Sequence, residues 1–374
     1  MKIPSLQALR ALAAAMVVVY HAQAEAAVLA ARTQAPFTPS ALLPWDAGVD
    51  IFFVISGFII VHAAGPLYGA AGGRRRFLAH RVARVVPLYW LVTAAYLAVA
   101  LGQPGLLSGG TGANGLDPAY VAASFLFWPM ARADGTPVPL FGLGWTLNCE
   151  MVFYLLFALG LGWGRRAALA WLLASLVLLA AARALVPAMP MPLAFWTSPI
   201  LLEFAFGALL ALARDRGVRL DPTLQVLTLV LAFGFLARAT EPGLAMRPLA
   251  YGLPAAALVA CSALGRDAGA GRRAARWIVA LGDASYALYL THPFVLRAGR
   301  EAILRLGLAP AIGPWGTLAI LVVLACLASL AVHRFIETPL SLRARALLDP
   351  RAGRDAAKAL EAEPARVSED AKRV

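Results

Sequence analysis

The 374-residue chain is 61% hydrophobic and 14% charged, with a mean hydropathy of +0.73; soluble domains carry about a quarter charged residues. Those values exclude an ordinary water-soluble enzyme and predict an all-α polytopic membrane bundle. The net charge of +13 does not mark a nucleic-acid binder, because the arginines cluster between apolar runs and form no basic face interleaved with aromatics; the expected surroundings are membrane lipid.

Apolar runs of the roughly 20 residues that a crossing needs cover residues 8–30, 46–64, 83–102, 142–163, 167–187, 193–213, 220–238, 247–265, 277–297 and 312–335, so about ten transmembrane helices are expected. The stretch within residues 117–131 is apolar but short and is broken at Trp128-Pro129; it reads as re-entrant or interfacial. With both termini in the cytoplasm, 24 of the 33 lysines and arginines fall on the cytoplasmic side and eight on the other, with Arg10 inside the first helix. That asymmetry is the positive-inside pattern. Residues 1–342 form one membrane-embedded domain, and residues 343–374 read as a charged, solvated and disordered cytoplasmic tail.

The first run carries Arg10 and His21. Eleven residues at about 100° each make three turns plus about 20°, so both side chains share a face, about 16 Å apart along the axis. A signal peptide cleaved after Ala22-Gln23-Ala24 is the rival reading, and Arg10 at the start of its apolar core argues against it. Ionisable groups at membrane depth are expensive and mark functional sites, and an imidazole suits proton transfer near neutral pH. His21 is therefore the candidate general base or nucleophile. Glu25, one turn on, either orients the ring or is solvated.

Later helices add further polar groups. Asp50 and Ser56-Gly57 lie in the second. Arg81 and Arg84, three apart at the start of the third, can present both guanidinium forks to one anion. The fourth opens with Trp145, Asn148 and Glu150, and Glu150 is placed either against an arginine such as Arg10 or near His21. Glu203 in the sixth suggests an interhelical hydrogen bond. Ser285, Tyr289 and His292 share one face of the ninth with Tyr286 alongside, and His333 and Glu337 are spaced for a local ion pair. Cys149, Cys261 and Cys326 lack CxxC or histidine at ligand spacing, so no metal is expected. There is no G-x-S-x-G elbow, phosphate loop or HExxH.

The order of these elements resembles the integral-membrane acyltransferase family 3. The resemblance rests on the Arg10-to-His21 spacing, Gly48-Val49-Asp50-Ile51-Phe52-Phe53-Val54-Ile55-Ser56-Gly57-Phe58, Arg81 to Arg84 with Pro87-Leu88-Tyr89-Trp90, Ser285-Tyr286 through His292-Pro293, and Arg334-Phe335-Ile336-Glu337. The version Trp145-Thr146-Leu147-Asn148-Cys149-Glu150-Met151, with Leu202-Glu203-Phe204, is most similar to exopolysaccharide O-acetyltransferases of the succinoglycan type. Many relatives have a second acid where Met151 stands, so only Glu150 carries over.

The resemblance implies a bacterial inner-membrane O-acetyltransferase. Its donor is acetyl-CoA from the cytosol, and its acceptor is a polysaccharide or a lipid-linked glycan precursor. Arg10, Arg81 and Arg84 would hold the acyl-CoA, with His21 and Glu150 catalytic and Asp50, Trp145, Asn148, Ser285, Tyr286 and His292 supporting. A glycan or lipid-carrier transporter, another acyl chain, or a small-molecule acceptor such as a macrolide are the alternatives.

Overall fold

The computed structural model describes residues 3–102, 116–186, 188–265 and 272–349; most of the loop expected between Gly102 and Gly115, and the tail beyond 349, lie outside them. The described residues are helical with no strand: α1 Pro4–Thr33, α2 Gly48–Ala63, α3 Gly73–Gly102, α4 Pro118–Phe125, α5 Trp145–Gly160, α6 Arg165–Leu185, α7 Leu193–Trp196, α8 Leu202–Asp215, α9 Pro222–Arg238, α10 Leu253–Leu264, α11 Arg272–Asp283, α12 Ser285–Arg305, α13 Ala309–Val332 and α14 Thr338–Leu348. In a bilayer helices leave no backbone polar group unsatisfied. Among the described residues, seven segments are long and apolar enough to cross a membrane: Pro4–Thr33, Trp45–Ala63, Gly73–Gly102, Gly142–Gly160, Arg165–Leu185, Leu193–Asp215 and Ala309–Leu348.

Two further expected runs form the shorter apolar helices Pro222–Arg238 and Pro248–Leu264. The ninth breaks at Ala284 into α11 and α12, and the C-terminal half of α12 carries Arg297, Arg300, Glu301 and Arg305.

The eight-residue α4 is too short to cross, as expected. Its N-terminus is capped by Asp117, which accepts from the Ala119 amide. The segment is held in place by side chains on α3: Tyr89 donates to the Ser124 carbonyl (2.9 Å) and Trp90 Nε1 to the Phe125 carbonyl (2.8 Å).

Helix α1 is the hub, packing against α2, α10, α11, α12 and α13. Helices α2 and α8 approach closely along their length. A Cβ on Gly57 would lie 2.2 Å from the Phe204 carbonyl oxygen, and one on Gly207 would lie 2.0 Å from that of Val54. Small residues permit such backbone approach between membrane helices, where lipid supplies no hydrophobic drive to associate.

The boundary expected at 343 is displaced. Thr338-Pro339 starts a helix, Pro being tolerated in a first turn, and α14 packs along α3. Asp349 Oδ2 lies 3.3 Å from Arg76 Nε and 3.2 Å from His80 Nε2. Residues 343–349 therefore belong to the folded body.

Candidate active site

Six of the expected site residues, from four helices, face one cavity of about 350 Å³: Arg10, Arg81, Arg84, Glu150, Ser285 and Tyr286. Arg10 donates from Nη2 to Ser285 Oγ (2.9 Å) and from Nη1 to Gln7 Oε1 (3.3 Å). The 100° step that aligns residues three and four apart on one helix puts Gln7 beneath Arg10. Arg81 lies over the rings of Phe77 (5.8 Å) and Tyr154 (6.0 Å), contacts that hold a guanidinium by its face and leave its N–H edge for an anion. Tyr286 donates its hydroxyl to the Val85 carbonyl (2.7 Å), joining α12 to α3.

Glu150 accepts from Ser56 Oγ (3.0 Å) inside this cavity. Among the described residues it makes no hydrogen bond to His21, so the structure does not support its expected role of positioning that imidazole. The carboxylate settles instead beside a hydroxyl and the arginine cluster, where a buried negative charge is compensated.

The partner of His21 is His292, fully buried on α12. His292 Nε2 lies 3.3 Å from His21 Nδ1, and the ring centroids are 5.0 Å apart. Each Nδ1 also meets the carbonyl one turn below: His21 that of Val17 (2.9 Å), His292 that of Leu288 (2.9 Å). A carbonyl oxygen only accepts, so the protons follow from the acceptors: both Nδ1 atoms carry one. His292 Nε2 is then a lone pair accepting part of the His21 Nδ1–H, and His21 Nε2 is left unprotonated as a base or nucleophile.

Neither histidine lines the cavity. Tyr289 connects the two places: it lines the cavity beside Phe52 and Thr146, and its ring centroid is 6.3 Å from that of His292. Its hydroxyl is fixed by Thr146 Oγ1 (3.0 Å) and the Leu143 carbonyl (3.2 Å).

Other expected site residues lie elsewhere. Asp50 is fully buried and takes both prongs of Arg247, Nε to Oδ1 (2.9 Å) and Nη2 to Oδ2 (2.8 Å), while Arg247 Nη1 reaches Asp46 Oδ2 (3.0 Å). Glu203 is fully buried on α8 with its carboxyl facing that of Asp50 on α2, the interhelical contact expected of it. Trp145 packs edge-on to Phe53 (6.2 Å), and Asn148 is buried; neither lines the cavity. Glu25 is neither solvated nor on the His21 ring: it pairs with Arg297 (3.2 Å) and with Arg300. His333 Nδ1 lies 2.7 Å from Glu337 Oε2, the local ion pair its spacing suggests.

Residues the sequence did not single out are Gln7, Arg247 and Arg345, the last of which lines the cavity from α14. Gln7 was legible as the i−3 neighbour of Arg10. Arg247 carried no local signal, since its partner lies 197 residues away.

A model of an acyltransferase domain matches residues 3–334. The chain is 33% identical over 310 residues to the exopolysaccharide production protein ExoZ of Rhizobium meliloti (strain 1021), covering 80% of this chain and 90% of that one. It is 31% identical over 278 residues to the acyltransferase MdmB of Streptomyces mycarofaciens, covering 68% of each. No solved structure matches. The chain belongs to acyltransferase family 3 and is a multi-pass helical membrane acyltransferase.

Proposed function

We propose that the protein is an O-acetyltransferase of the bacterial inner membrane. It moves an acetyl group from cytosolic acetyl-CoA to a hydroxyl of an exopolysaccharide or its lipid-linked precursor, with ten spans and both termini cytoplasmic. The observation that carries this reading is the convergence of Arg10, Arg81 and Arg84 on one cavity, with an imidazole pair one aromatic residue away. CoA brings a pyrophosphate and a phosphate monoester, and arginine is the side chain fitted to grip such groups. Similarity to ExoZ over most of that protein's length supports the exopolysaccharide acceptor.

In this reading His21 Nε2 takes the proton of the acceptor hydroxyl as its oxygen bonds to the thioester carbonyl carbon. The CoA sulfur leaves as a thiolate beside the cationic cavity. His292 keeps the His21 proton on Nδ1 and shares the positive charge that develops on the ring. A step through acetylated His21 would use the same Nε2 lone pair.

The test supplies labelled acetyl-CoA to membranes containing the protein or His21→Ala and measures ester-linked acetyl groups on the glycan. Label in the glycan with wild type and its loss in a stably inserted His21→Ala is the expected result. Glycan movement across the membrane without acetylation would overturn the reading in favour of a transporter.

A further inference from the structure

The match to the acyltransferase domain ends at residue 334, yet the cavity is lined beyond it by Arg345. Two anchors fix the helix that follows. At its start, Glu337 is buried and bound to His333, and Thr338 Oγ1 donates to the His333 carbonyl (2.8 Å). At its end, Asp349 is pinned on α3 by Arg76 and His80. Arg345, one turn before Asp349, is thereby turned into the cavity beside Arg81 and Arg84.

Like charges held together repel, and none of these three arginines forms an ion pair among the described residues. Arg81 Nε, moreover, is buried with no hydrogen-bond partner. Among the described residues the one carboxylate lining the cavity, Glu150, is bound to Ser56. The cavity lining among the described residues carries four arginines, Arg10, Arg81, Arg84 and Arg345, against the single carboxylate of Glu150, a balance that suits an anionic ligand.

We infer that Arg345, on a helix beyond the family domain, is a donor-binding residue that with Arg81 grips the 3′-phosphate of CoA, while Arg84 and Arg10 face the pyrophosphate. This rests on the reading that the donor is an acyl-CoA entering from the cytoplasm. Helix α3 then runs inward from its N-terminus, so Arg81 is shallower than Arg84, and Arg345 lies with Arg81 at the mouth. A donor that enters thioester first leaves its phosphoadenosine end at that mouth.

The experiment uses the full-length protein in lipid nanodiscs with two donors, acetyl-CoA and 3′-dephospho-acetyl-CoA, which differ only in that phosphate. Loss of a charge-assisted bidentate contact predicts that Arg345→Gln raises KM for acetyl-CoA by roughly 10- to 100-fold. Its kcat should stay within about threefold, and KM for the dephospho donor should match wild type, since the lost contact does not exist there. An equal effect on both donors, or none on either, overturns the assignment. If Arg345→Gln is not recovered from membranes, Arg345→Lys serves: it keeps the charge but loses the fork, so the preference for acetyl-CoA over the dephospho donor should fall, and an unchanged preference overturns the inference. A wild-type protein that uses neither donor defeats the acetyl-CoA reading itself; one that uses both, with no sensitivity to Arg345, defeats this inference alone.

Discussion

His292 Nε2 faces His21 Nδ1 at 3.3 Å, from a ring whose own Nδ1 is committed to the Leu288 carbonyl. The pair is directional: His292 accepts and His21 donates, which leaves His21 Nε2 free for the acceptor hydroxyl. Replacing His292 with Leu leaves the Val17 carbonyl to hold the proton on His21 Nδ1 but removes the neighbour that shares the positive charge developing on the ring as Nε2 takes a proton. We expect kcat to fall by about 100-fold, within the usual range for general-base assistance, with KM for the donor unchanged because neither histidine lines the donor cavity. His292→Gln places an amide oxygen near the same point and should recover part of the rate. Equal losses in the two variants would reduce His292 to packing.

This relationship shows what was legible in the sequence and what was not. Arg10 and His21 lie on one helix, where a fixed 100° step converts spacing into geometry; the same rule relates Arg81 to Arg84 and His333 to Glu337. His292 stood out as a polar residue at membrane depth, but its partner is 271 residues away, and no periodicity reaches across helices. Sequence alone leaves Glu150 either against an arginine or near His21, and the packing of α1 against α12 decides that His292 meets the imidazole. Arg345 was hidden for another reason. Charges after the last apolar run look like a solvated tail, and only the anchors at Glu337 and Asp349 turn that segment inward.

The buried pair of Asp50 and Arg247 is a structural clamp between the start of α2 and the turn preceding α10. Removing one member of such a pair leaves an uncompensated charge and typically costs about 3–5 kcal/mol. Asp50→Asn and Arg247→Met should each lower the midpoint of thermal unfolding in detergent. The double variant should lose less than the sum of the two, because neither charge is then left alone. Additive losses would mean that the two residues act independently despite their contact.

Gly57 and Gly207 let the α2 and α8 backbones touch. A methyl group at Gly57 would sit 2.2 Å from the Phe204 carbonyl oxygen, so Gly57→Ala must separate the helices. Overpacking of this kind costs about 1–3 kcal/mol. Reduced yield of inserted protein and a lower unfolding midpoint are expected, measured against Gly234→Ala on α9, where the added Cβ meets nothing within 4 Å. Equal behaviour of the two variants would show that α2 and α8 can part without loss.

Of the two places expected for Glu150, against an arginine such as Arg10 or near His21, the structure shows the arginine side. Were it to tune His21, Glu150→Gln would shift the pH dependence of kcat. Its position on Ser56 among the cavity arginines predicts otherwise: neutralising it makes the cavity more cationic, so an anionic donor binds more tightly. A KM for acetyl-CoA lowered by roughly two- to tenfold at low ionic strength is expected, in keeping with a single partly screened charge contact. The gain should shrink as salt is added, because screening acts on the long-range part of that attraction. The kcat profile against pH should coincide with wild type. A displaced profile with KM unchanged would return Glu150 to the imidazole and remove it from the donor site.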